Sequence, residues 1–83
     1  MSPAARERVT AAVHSAITTI LPGLDPGAID HGKHLKDLGA DSVERVEIIL
    51  MITDRLGVRR PLSDFSGIPT VAALIDDLCR TES

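Results

Sequence analysis

Leu38-Gly39-Ala40-Asp41-Ser42-Val43-Glu44-Arg45-Val46-Glu47-Ile48-Ile49-Leu50-Met51-Ile52, running on through Thr53-Asp54-Arg55-Leu56 to Gly57, decides how this chain folds. Asp41 followed by Glu44 is the pattern of a capping box, in which each side chain satisfies the other's backbone N–H, and Gly57 supplies a residue able to end a helix in the left-handed conformation. The spacing predicts a helix over 42–56. It carries more apolar residues than one stripe needs. At about 100° per residue, Ile48, Ile49, Ile52 and Leu56 fall on one arc suited to a core, while Val43, Val46 and Leu50 fall on an adjacent arc flanked by Glu47 and Asp54. Ser42 falls between the two. The second arc has two readings: a neighbouring helix or loop covers it, or it is an exposed apolar strip rimmed by acids, the kind of patch that marks a docking surface.

Outward from this helix, glycine and proline punctuate the chain on both sides. Before it, Ser2 as an N-cap and Pro3 at the first helical position open a run with Val9, Val13, Ala16, Ile17 and Ile20 at helical spacing, which predicts a helix over 3–20. After it, Thr70 is a good N-cap, and Val71, Leu74, Ile75 and Leu78 share one face, predicting a helix over 71–80. Pro61-Leu62-Ser63-Asp64-Phe65 reads as one further helical turn that depends on tertiary packing. No segment alternates with period two and no Asn-Gly or Asp-Gly hairpin signal occurs, so the fold class is all-α. The link over 21–41 is long for helices that pack as neighbours. Leu24, Ile29, Leu35 and Leu38 are apolar pins that would fasten it across the bundle as a packed crossover.

At 83 residues, 43% of them hydrophobic and 25% charged, the chain has material for one core, so residues 1–83 form a single domain. Domains of this size bury only about 60% of the surface their unfolded chains expose, which leaves no room for a deep cleft between subdomains. One Phe with no Trp or Tyr removes the stacking platforms of single-stranded nucleic-acid binders, and nine basic against twelve acidic residues removes the electrostatic footprint for phosphate backbones. Nucleic acid is therefore excluded as a partner, and no stretch is long enough to span a membrane. Cys79 alone cannot build a disulfide framework, and the first residues lack the pattern of a secretory leader; the expectation is a reducing cytosol.

Ser42 stands at a helix start, where serine usually caps. Asp41 already supplies the cap, which leaves the hydroxyl beside unpaired N–H groups and the positive end of the helix dipole, a setting that favours a phosphate. As a catalytic nucleophile Ser42 is poorly supported, because Gly39-Ala40-Asp41-Ser42-Val43 is not a Gly-x-Ser-x-Gly elbow and no strand precedes it. His14, His31 and His34 come with no second ligand cluster and read as surface or loop histidines, and one cysteine on another helix does not make a zinc site. Cys79 reads as a small apolar residue of the last helix, and Asp76 and Asp77 as facing water. Arg55 reads as ordinary solvated surface, and Arg59 and Arg60 either as the same or as a basic spot for a partner.

Leu38-Gly39-Ala40-Asp41-Ser42-Val43, then Val46-Glu47-Ile48, then Pro69-Thr70-Val71 before a short last helix, resembles an acyl carrier protein over nearly the whole chain. The resemblance implies a four-helix bundle, a non-catalytic role, and 4′-phosphopantetheine transferred to Ser42 from coenzyme A by a magnesium-dependent phosphopantetheinyl transferase. Val43 replaces the commoner Leu of the motif. On this resemblance Asp41 is the motif residue that caps the helix. Val43, Val46 and Leu50 become apolar contacts for partner enzymes, and Glu44, Glu47 and Asp54 meet basic groups on them. A narrower resemblance, carried by Asp41 to Ile49 and by Pro61 to Gly67, is to the free-standing carriers of polyketide β-branching cassettes. Those hold an acetyl group made from a malonyl thioester by a decarboxylating ketosynthase-like enzyme, and an enzyme similar to hydroxymethylglutaryl synthase adds it to a β-ketone; an acyltransferase is a further implied partner. The short length, with Met1 and Ser83 at its ends, suits a discrete cytoplasmic protein of the expected reducing cytosol, and with nothing to suggest stable self-association a monomer is the default expectation. The alternatives are a fatty acid or other polyketide carrier, an aminoacyl carrier, or a helical interaction module in which Ser42 merely starts a helix.

Overall fold

A computed structural model of the chain describes residues 3–65 and 67–82. Three α-helices carry the fold: α1 (Pro3–Ile20), α2 (Ser42–Leu56) and α3 (Val71–Glu82). Short 3-10 turns occupy Pro26–Ala28, Leu35–Leu38 and Leu62–Phe65, and no strand occurs among the described residues. The first two helices have the bounds their caps predict, and the last continues past residue 80 to Glu82. The extra turn expected over 61–65 is the 3-10 turn Leu62–Phe65. Ser2, expected to cap α1, lies outside the described residues, as does Ser66 of the Pro61–Gly67 segment.

Helical periodicity builds the core. Val9, Val13, Ala16 and Ile17 of α1 are buried, joined by Ala12; Ile48, Ile49 and Ile52 are buried on α2, and Val71, Leu74, Ile75, Leu78 and Cys79 on α3. The long link is a packed crossover, with Ile29 and Leu35 inside the core and Leu24 and Leu38 half-buried against it. Local hydrogen bonds shape it. The Asp25 and Asp30 carboxylates accept the N–H groups of Gly27 and Gly32 at 2.9 and 2.8 Å, closing turns of the kind short acidic side chains favour. His34 Nδ1 accepts the Lys36 N–H at 3.0 Å, so a histidine caps the Leu35–Leu38 turn. Gly39, at φ 103°, ends that turn and delivers the chain to α2.

Two expectations need correction. Arg60 is a clasp rather than a solvated or partner-binding cation: its Nη1 lies 2.8 Å from Asp77 Oδ2, its Nε 3.3 Å from Asp64 Oδ2, and its guanidinium stacks 4.7 Å from the Phe65 ring centroid. It therefore ties the Leu62–Phe65 turn to α3, and Asp77 is half-buried in that contact and does not face water. The carboxylates of Asp64 and Asp77 raise the Arg60 pKa above its ordinary value, Asp77 contributing most. Asp76 is exposed and ion-pairs with Arg6 of α1 at 2.7 Å. Among the described residues, no helix is long and apolar enough to cross a membrane.

Gly57 closes α2 at φ 69°, and a Cβ built there meets no atom within 4 Å. Its requirement is thus conformational rather than steric. Gly57→Ala is expected to lower unfolding stability by about 1–2 kcal/mol, the cost of a side chain in the left-handed region. Gly23→Ala, at an ordinary φ with open space, leaves stability unchanged or slightly raised; urea unfolding of both variants checks the pair.

Candidate functional site

The start of α2 is built by reciprocal hydrogen bonds. Asp41 Oδ1 accepts the Glu44 N–H at 2.7 Å, and Glu44 Oε1 accepts the Asp41 N–H at 3.1 Å. Ser42 is consequently the first helical residue and has no capping duty. Its side chain is exposed, and among the described residues no group hydrogen-bonds its hydroxyl. The N–H groups of Ser42 and Val43 likewise find no acceptor among the described residues, so unpaired donors and the positive end of the helix dipole lie beside that oxygen. Among the described residues, no histidine or carboxylate hydrogen-bonds the Ser42 hydroxyl to activate it. The arrangement suits an oxygen modified by another enzyme and then holding an anionic phosphodiester; it does not suit a nucleophile with its own base.

The two apolar arcs of α2 separate as their angles require. Ile48, Ile49 and Ile52 are buried, whereas Val43, Val46 and Leu50 are 64%, 39% and 52% exposed. Among the described residues, no helix or loop covers the second arc, so it is a surface strip. Glu47 and Asp54 are exposed along one edge of it. Glu44 differs, because its carboxylate is engaged in the capping box.

A cavity of about 570 Å³ opens beside Ser42. The exposed residues Ser42, Val46 and Leu62 form its rim, and the buried Ile49, Phe65 and Leu74 its floor. Arg45, on the core-facing side of α2 at its N-terminal end, brings a positive charge to the lining, which includes no Asp or Glu. Leu62, 38% exposed, extends the apolar strip from a second element. Helical spacing within α2 carries no information about a residue delivered by another turn, and so gave no sign of Leu62 or of the cavity floor from Phe65, Ile68 and Leu74.

His31 and His34 lie in the crossover, as expected of loop histidines, and His34 caps a turn there; His14 departs from expectation, half-buried on α1 and facing His31. No group of three or more His, Cys, Asp or Glu residues placed to hold a metal ion exists among the described residues.

Residues 11–78 match the family described as the phosphopantetheine attachment site. The chain is 33% identical over 73 residues to the polyketide biosynthesis acyl-carrier-protein AcpK of Bacillus subtilis, a match covering 88% of this chain and 89% of that one. It is 31% identical over 74 residues to the meromycolate extension acyl carrier proteins of Mycobacterium tuberculosis and Mycobacterium bovis, covering 88% of this chain and 64% of each of those. No solved structure matches significantly.

The division of labour at the helix start has a measurable signature. Asp41→Ala removes the acceptor of the Glu44 N–H and is expected to cost about 1 kcal/mol of unfolding stability. Ser42→Ala, which removes an unpartnered exposed hydroxyl, stays within about 0.5 kcal/mol of the parent. Equal losses in chemical denaturation would mean that Ser42 shares the capping role.

Proposed function

The chain belongs to the phosphopantetheine-attachment family of acyl carrier proteins, and on that premise we propose that Ser42 bears the prosthetic arm and that the protein holds short acyl groups in polyketide biosynthesis. The observation that carries the assignment to Ser42 is its exposed, unpartnered hydroxyl at the start of α2, beside N–H groups that lack acceptors. When bound, phosphopantetheine supplies a terminal thiol on which acyl groups ride as thioesters. The protein is a carrier and not an enzyme. Its own residues give that arm an address: Asp41 fixes the helix start, and the α2 N-terminus offsets the charge of the phosphodiester.

Residues 1–83 then form one carrier domain, with the Leu62–Phe65 turn in the place of the short helix of the family's four-helix arrangement. Val43, Val46 and Leu50 are the apolar contacts for enzymes that must reach Ser42, and Glu47 and Asp54 steer basic surfaces toward them. Glu44, whose carboxylate keeps its charge within the capping box, belongs to the same set. The first partner is a phosphopantetheinyl transferase, and the polyketide context is supported by the likeness to the Bacillus carrier. The sequence of Asp41 to Ile49 and of Pro61 to Gly67 supports a finer role as acetyl donor for β-branching. It would be loaded with malonyl by an acyltransferase, converted to the acetyl form by a decarboxylating ketosynthase-like enzyme, and unloaded by an enzyme similar to hydroxymethylglutaryl synthase. Such a protein works as a cytoplasmic monomer, where coenzyme A and these enzymes are found.

Incubated with coenzyme A, magnesium and a broad-specificity phosphopantetheinyl transferase, the apo protein is expected to gain one phosphopantetheine by intact-mass measurement, and Ser42→Ala to gain none. An unmodified parent under conditions that load a control carrier ends the reading. Leu50→Glu or Val46→Glu is expected to slow acyl transfer by about tenfold or more, equivalent to roughly 1.4 kcal/mol of lost contact, with helical circular dichroism unchanged. The donor role requires that the malonyl form lose carbon dioxide to the ketosynthase-like enzyme and that the resulting acetyl reach a β-ketone. Aminoacyl loading by an adenylation enzyme in place of both steps removes the role.

A further inference from the structure

Apart from the site at Ser42, one pair of titratable groups joins three parts of the fold. His14 of α1 and His31 of the crossover meet with their Nε2 atoms 2.7 Å apart, ring centroids 5.0 Å apart and planes at 79°. At that distance one Nε2–H donates to the lone pair of the other, which fixes opposite tautomers in the two rings. The same His31 holds α3 through its backbone: its carbonyl accepts the Ala72 N–H at 2.8 Å, and the Lys33 carbonyl accepts the Val71 N–H at 2.9 Å. Thr70 Oγ1 takes the next donor, the Ala73 N–H, at 3.1 Å. Two of the N–H groups that α3 cannot satisfy internally are thus capped by a loop whose side chain is fastened to α1. Thr70 and Leu74, at this end of α3, also line the cavity beside Ser42.

Protons decide whether the fastening exists. The neutral pair has one donor facing one acceptor. The singly protonated pair keeps that bond in charge-assisted form. The doubly protonated pair presents two N–H donors and two positive charges to each other, with no acceptor between them, and must part. We propose that the His14–His31 pair is a proton-operated clasp that fastens the crossover to α1 and to the first turn of α3, and that acidification releases it.

The surroundings leave the clasp to its own two charges. On the crossover, Asp30 and Lys33 flank His31 and are exposed, and Asp30 is turned to the Gly32 N–H. On α1 no other ionisable residue follows Arg8. The nearest charged residues of α3 by sequence are Asp76, held by Arg6, and Asp77, held by Arg60. Burial lowers the His14 pKa below its ordinary value, and the charge of His31 lowers it further. With its folded value depressed, the unfolded chain binds the proton more readily. This contribution to stability is therefore complete above the ordinary imidazole value of about 6.5 and is lost as pH falls through the lower folded value. The inference stands independently of the carrier reading.

Imidazole titration of the full chain by NMR, with amide exchange followed in parallel, tests the clasp without any variant. The shared Nε2–H makes the pair take up its two protons in separate steps, the doubly protonated form appearing only in the second. The Val71 and Ala72 amides are expected to lose protection through that second step. Because His34 caps its own turn through Nδ1, the measurement is repeated in His34→Asn, where the loss at Val71 and Ala72 persists. His31→Gln removes the second step and flattens the fall of the melting temperature between neutral and acid pH. Independent single-step titration of His14 and His31 near the ordinary value, or amide protection at Val71 and Ala72 that ignores the second step, overturns the proposal.

Discussion

The hydrogen bond from the Glu44 N–H to the Asp41 carboxylate sets where α2 begins, and the setting of Ser42 follows from that start. A helix that begins at Ser42 turns Ile48, Ile49 and Ile52 inward and leaves Val43, Val46 and Leu50 outward. Starting one residue later would rotate neither set relative to the other, but it would leave Ser42 in the crossover and its hydroxyl away from the helix N-terminus. By doing the capping, Asp41 releases the serine; by returning the bond, Glu44 is held at the helix start with its charge intact. One pair of side chains thus settles where an anion is favoured.

What the sequence made legible was whatever local chemistry determines. The bounds of α1 and α2 follow from caps and periodicity, and the two arcs of α2 follow from angle alone. Ile29 and Leu35 were recognisable as loop pins because an apolar residue in a long polar connection has few other places to go. Features made by residues far apart in the chain were not legible. The cavity beside Ser42 needs α2, the Leu62–Phe65 turn and the start of α3 at once, and the His14–His31 pair spans two elements. Arg60 shows the same limit: beside Arg59 it looks like half of a basic spot, and only the fold reveals that its neighbours are Asp64, Phe65 and Asp77.

That reassignment alters the surface electrostatics. The chain carries a formal net charge of −3, but the charges that act on an approaching protein are those not already matched. Arg60 is held between Asp64 and Asp77, and Arg6 pairs with Asp76 across α1 and α3, whereas Glu44, bonded to a neutral backbone N–H, keeps its charge. Glu47 and Asp54 lie exposed beside the apolar strip. Exposed charges steer encounter and are screened by salt, whereas the strip contributes only when water is expelled from it. A small apolar area edged by few charges favours association that forms quickly and ends quickly, which is what a carrier visiting several enzymes requires.

Exposing Val43, Val46, Leu50 and Leu62 on a chain of 83 residues is a concession that the core must offset, since small domains have little burial to spare. Here the crossover makes up part of the difference. The long connection inserts Ile29 and Leu35 into the core and uses its own carbonyls to cap α3. The segment that looks least structured in the sequence is therefore the one that binds the helices to each other. The outer face of α2 stays exposed, which leaves Val43, Val46 and Leu50 open to the docking role proposed for them.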